Sequence, residues 1–158
     1  MQLSYRAATP ETSAICATFE YAKAEYEVVE DAEACEATLI VDGTTITGWL
    51  PIFVFASRMA HTLPGDRLEM AMVMEAIAKI DGASLAQVEA LFAHGKPWLV
   101  SELEESTAAD FLLIARLRRM RDDGHSLRTY PLLLAYSDRN PAFAEKYYES
   151  APTSCLVS

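Results

Sequence analysis

The chain has 158 residues, 51% of them hydrophobic, and a formal charge of −10. That length supports one core or two small lobes and excludes two large independent domains. The acidic balance argues against gripping a phosphate backbone, which needs Lys and Arg to neutralise it, so no direct nucleic-acid partner is expected.

The longest apolar run, Leu50 to Ala56, is too short for a membrane span, and Met1 is followed at once by strand-like Leu3-Ser4-Tyr5 instead of a signal peptide. A cytoplasmic protein is expected. Cys16, Cys35 and Cys155 show neither metal-ligand spacing nor an even-numbered disulfide framework, so reduced thiols and no metal site are expected.

In chain order, Gln2 to Tyr5 reads as a short strand. Thr9-Pro10-Glu11 opens a helix with a hydroxyl cap, a proline at the first helical position and an acid on the positive end of the dipole. Ile15, Phe19, Ala22 and Tyr26 follow at helical spacing. Glu27-Val28-Val29 predicts a second strand, and Glu30 to Glu36 an acidic linker or a single helical turn. Asp42-Gly43 between the β-branched runs Thr38 to Val41 and Thr44 to Thr47 is a hairpin signal. Pro51 then sits in the first turn of a helix running to about Ala60, where its missing amide hydrogen is harmless.

Pro64-Gly65 breaks the chain, and the remainder reads as helical. Leu68, Met72, Val73, Ala76, Ile77 and Ile80 form one apolar stripe, ended by Gly82. Ser84-Leu85-Ala86-Gln87 and Thr107-Ala108-Ala109-Asp110 are capping boxes that open two further helices, closed by Gly95 and Gly124. Pro131 and Pro141 each begin a last segment. Residues 1–82 carry 13 acids against 5 bases, and residues 83–158 carry 10 against 8. The expected division is a mixed α/β lobe over residues 1–63, an all-α lobe over 64–150 and a tail over 151–158.

This order resembles a glutathione transferase, with a thioredoxin-like N-terminal lobe followed by a small helical C-terminal lobe. Leu3-Ser4-Tyr5 resembles the opening of tyrosine-type members, Val41-Asp42-Gly43 with Ile46-Thr47 their third and fourth strands, and Thr107 to Asp110 the capping box of their buried core helix. Tyr130-Pro131 with Arg139-Asn140-Pro141-Ala142 resembles their C-terminal pattern. The resemblance implies a glutathione site made by the loop before the third strand and the start of the next helix.

At that site the chain departs from the family. Ala37 stands where active members have a cis-proline, and a cis bond there would cost about 3 kcal/mol, so it is expected to be trans. Gly48 and Trp49 stand where they have an acid or glutamine followed by serine, the hydroxyl and helix amides of which hold the γ-glutamyl carboxylate. The indole is expected to occupy the ligand's place. The stretch from Val29 to Ala37 is also too short for the family's second helix.

Tyr5 remains at the position of the residue that stabilises the glutathione thiolate in tyrosine-type enzymes, although an aromatic on a central strand is also ordinary core. Cys16 is either a redox thiol or a small buried hydrophobe, with no Cys-x-x-Cys beside it. His61, His94 and His125 form no triad-like pattern and are expected at the surface.

Ile46-Thr47-Gly48, the small acidic first lobe and the shortened connection look closer to the ligand-free glutathione transferase-like domains of aminoacyl-tRNA synthetase complexes and elongation factor 1 subunits. The resemblance then implies a non-catalytic interaction module or scaffold in a translation-related complex, with no cofactor. Its partners would be proteins, among them other such domains or a second copy. The alternative is a small transferase using glutathione and Tyr5. Candidate contact residues are Phe53, Phe55, Met70 and Met74, where methionine suits adaptable surfaces, and Arg116 and Arg119 of a basic cluster, with Glu102, Glu104 and Glu105 as a complementary patch on the same lobe. Phe53, Phe55, Met70 and Met74 equally suit an internal core. The terminal Cys155-Leu156-Val157-Ser158 matches a prenylation signal without a basic run before it; only such a modification would give a membrane contact.

Overall fold

Leu3 and Tyr5 alternate with Gln2 and Ser4 along the first strand, and that period of two sets which face of the sheet is buried. A computed structural model describes residues 1–139 of the chain. They fall into two compact units, divided between His61 and Thr62.

The first unit contains β1 (Gln2–Tyr5), α1 (Pro10–Tyr21), β2 (Glu27–Glu30), β3 (Thr38–Val41), β4 (Thr44–Thr47) and α2 (Trp49–Met59). The sheet order is β2-β1-β3-β4, with β2 parallel to β1 and the others antiparallel. Leu3 pairs with Leu39 across β1 and β3, and both are fully buried. On the opposite face the same register aligns Gln2 with Ile40, which is exposed. Asp42 and Gly43 form the hairpin turn with φ of 48° and 79°, the left-handed geometry that an Asp-Gly pair tolerates. Thr9 and Thr12 close a reciprocal cap on α1. Among the described residues, the seven between β2 and β3 hold turns and no helix.

The second unit contains α3 (Arg67–Ile80), α4 (Leu85–Leu91), α5 (Ala108–Asp122) and α6 (Pro131–Arg139). Both predicted capping boxes form, Ser84 with Gln87 and Thr107 with Asp110. α5 is the central helix: every residue from Ala108 to Ala115 is buried, and the helix first meets solvent at Arg116. Such all-round burial extends beyond the series Phe111, Ile114 and Leu117 that the sequence offers as an apolar face. No helix among the described residues is long and apolar enough to cross a membrane. Pro141 to Tyr148, the tail and Cys155 lie outside the described residues.

Candidate functional site

A short loop joins the end of β1 to α1, and the loop before β3 passes beside the start of α2. The Gly48 amide donates to the Ala37 carbonyl at 2.8 Å, tying these last two segments together. They frame a cleft of about 490 Å³ in the first unit, lined by Tyr5, Cys35, Glu36, Ala37, Gly48 and Trp49, with Arg6, Thr9 and Glu11 on its other side. The sequence expectation thus placed Tyr5, Ala37, Gly48 and Trp49 at one site, and the structure brings them together.

Their individual roles differ from the simplest expectation. Tyr5 lines the cleft while being only 2% exposed, so its ring is core first. Ala37 is buried, and no cis peptide bond occurs among the described residues. Gly48 caps α2 with φ of 92° and ψ of 143°, a conformation suited to glycine, and no side chain caps that helix start. A methyl built on Gly48 would lie 3.6 Å from Pro51 Cδ and 3.9 Å from Glu36 Oε2. One oxygen of the Glu36 carboxylate therefore lies close to Gly48 at the helix start. Trp49 is half-buried, with its ring centroid 6.5 Å from that of Phe53 one turn on. It lines the cleft beside Gly48.

Sequence reasoning missed Cys35 and Glu36 as parts of this site. Neither belongs to a motif, and their placement depends on how the short connection folds back on the Asp31 carbonyl through the Ala34 amide. Cys35 is exposed. Cys16, in contrast, is fully buried on α1, as a small hydrophobe would be.

The contact candidates separate by burial. Phe53 is fully buried, which removes it from any surface and corrects its place among the contact residues: it packs against Trp49 from within the core. Phe55 is half-buried, with its ring edge-on to Phe19 at 6.4 Å. Met70 and Met74 on α3 are half-buried. Arg116 donates from Nη2 to the Ala83 carbonyl at 3.2 Å, so it braces the chain after α3. Arg119 Nε lies 3.3 Å from Oδ2 of Asp123, the residue that caps the end of its own helix. His61, His94 and His125 are exposed. No group of three or more potential metal-ligating residues is found among the described residues.

No family model matches the chain, and no curated protein matches it. Solved structures do. A delta-class glutathione transferase of Nilaparvata lugens superposes with a TM-score of 0.76 at 12% identity, covering 98% of this chain and 94% of that one. A Bombyx mori glutathione transferase gives 0.78 at 11%, covering 92% and 89%. A bacterial zeta-class maleyl pyruvate isomerase gives 0.71 at 14%, covering 98% of each chain. At these identities the likeness is one of fold: the chain has the glutathione transferase architecture, a thioredoxin-like N-terminal lobe followed by a helical C-terminal lobe.

Proposed function

We propose that this chain is a non-catalytic interaction module built on the glutathione transferase fold. The observation that carries the reading is the start of α2, where Gly48 supplies no hydroxyl, no side chain caps the first amides, and Glu36 Oε2 lies close to Gly48. Those amides are the natural receptor for a carboxylate, and a resident carboxylate repels an incoming one. Trp49, in place of the serine, brings no hydroxyl to the helix start, only an N–H carried on a bulky ring. One hydroxyl short and with a carboxylate already close by, this set is a poor receptor for the γ-glutamyl carboxylate. Protein partners follow, in a translation-related assembly by the resemblance of Ile46-Thr47-Gly48, the acidic first lobe and the shortened connection to such domains.

A second reading, a divergent transferase using Tyr5, is favoured by the cleft itself, which stays open at about 490 Å³ with Tyr5 in its lining. Immobilised glutathione and a thiol-conjugation assay separate the two. Passage through the column without turnover, together with co-purification of a synthetase or elongation factor subunit from extract, supports the interaction module. Retention with turnover that Tyr5→Phe abolishes overturns it.

A further inference from the structure

The second unit contains a separate cleft of about 210 Å³. Its floor is apolar, formed by Met72 and Ala76 of α3, Leu91 of α4, and Leu99 and Val100 of the following loop. Its rim is polar and drawn from three stretches of chain: Glu75 and Lys79 on α3, His94 after α4, and Ser101 and Glu102 before α5.

The rim charges are not balanced. Lys79 Nζ lies 2.7 Å from Glu75 Oε1, one helical turn away, so these two largely cancel. His94 Nδ1 accepts the Lys96 amide hydrogen at 2.9 Å, which leaves Nε2 as the hydrogen-bearing nitrogen of the neutral ring, a donor. Glu102 is the rim's second carboxylate: among the described residues no cation lies at ion-pair distance from it, and the more distant His94 and Lys79 favour its charged form only as lesser causes. A hydrogen bond from Ser101, more than any other cause, holds its carboxyl below the ordinary carboxylate value. A solvent-exposed carboxylate thus stands at the edge of an apolar floor.

We propose that this cleft binds a small aliphatic ammonium compound, its amine paired with Glu102 and its body laid on Met72, Leu91 and Leu99. The cleft has room for a body of about six to nine heavy atoms. Because it is partly open, the bound amine keeps some water and avoids full desolvation. Lys79 and the His94 Nε2 hydrogen stand on the same rim, where a carboxylate on the ligand would meet them. The shared chemistry therefore covers two sources, a free monoamine and an aliphatic α-amino acid.

The test is an NMR titration of the full chain with isoamylamine, L-leucine and 4-methylpentanoate. Saturable millimolar binding of isoamylamine or leucine is expected, the range that so few contacting atoms support. Glu102→Gln should weaken it about tenfold, the loss of one charge-assisted contact, while Glu104→Gln leaves it unchanged. Tighter binding of leucine than of isoamylamine supports the proposal with an amino acid as occupant, and the reverse order supports it with a monoamine. No saturation by either up to about 50 mM, equal binding of 4-methylpentanoate, or unchanged affinity in Glu102→Gln overturns it.

Discussion

The Tyr136 hydroxyl donates a 3.0 Å hydrogen bond to Asp110 Oδ1, and both residues are fully buried. The same carboxylate accepts the Leu99 amide at 3.0 Å and, through Oδ2, the Thr107 amide at 2.9 Å and the Thr107 hydroxyl at 3.3 Å. One side chain thereby joins the start of α5, the loop before it and α6. Burial of a charge is unfavourable by itself, and these donors are what make it tolerable.

Replacing Asp110 with alanine should leave the Leu99 amide, the Thr107 amide and the Tyr136 hydroxyl without this acceptor. At about 1–3 kcal/mol for each buried orphaned donor, a loss of at least about 3 kcal/mol is expected. That is a large share of the roughly 5–15 kcal/mol that holds a domain together. Urea unfolding measures it.

Asp110 also sets a pH dependence. Desolvation raises its pKa above the ordinary 3.8, against the opposing effect of its hydrogen bonds. Between the unfolded value and the raised folded value, the native state holds the proton more tightly, so stability falls as pH rises through that window and levels off above it. Asp110→Asn should remove this slope from a plot of unfolding free energy against pH. Persistence of the full slope in the variant would assign it to other groups.

Tyr136→Phe keeps the ring, which packs 4.7 Å from Phe92 by centroid, and deletes only the hydroxyl. A cost of about 1–2 kcal/mol is expected, because the acceptor is a buried carboxylate. With one favourable donor gone, the Asp110 pKa should rise further, extending the pH window upward. A carboxyl NMR titration of Asp110 in both proteins checks this.

Glu89 on α4 caps α6 from 43 residues away. Its two carboxylate oxygens accept the amides of Leu132 and Leu133, each at 2.8 Å, and the Leu134 amide reaches the Tyr130 carbonyl at 2.9 Å. With Pro131 lacking an amide hydrogen, the first turn of α6 is satisfied. Glu89→Ala should destabilise by about 0.5–2 kcal/mol, the range for lost caps. Hydrogen exchange at Leu132 and Leu133 should accelerate more than at buried amides of α5.

At the first cleft, Trp49→Ser combined with Glu36→Ala should create measurable retention on immobilised glutathione where the parent chain shows none. The change restores a hydroxyl at the helix start and removes the resident carboxylate. Gly48→Ser is expected to fail as a route to the same end, since its φ of 92° would cost a side chain about 1–3 kcal/mol. Equal retention of parent and double variant would dissociate Glu36 and Trp49 from ligand exclusion.

Local signals in this chain were sufficient for its elements. The Asp42-Gly43 turn, the Thr9-Pro10-Glu11 opening and the Ser84 and Thr107 capping boxes act within four residues, so a linear reading recovers them and, with them, the order of the two lobes. The same reading placed Tyr5, Ala37, Gly48 and Trp49 at one site, because they sit on strand ends and a helix start whose order is legible. What only the tertiary structure decided depends on contacts between residues far apart in the chain: Glu89 as a cap for α6, Tyr136 as a donor to Asp110, and the burial of Phe53. Side-chain direction is set by neighbours, and neighbours at long range leave no local pattern to read.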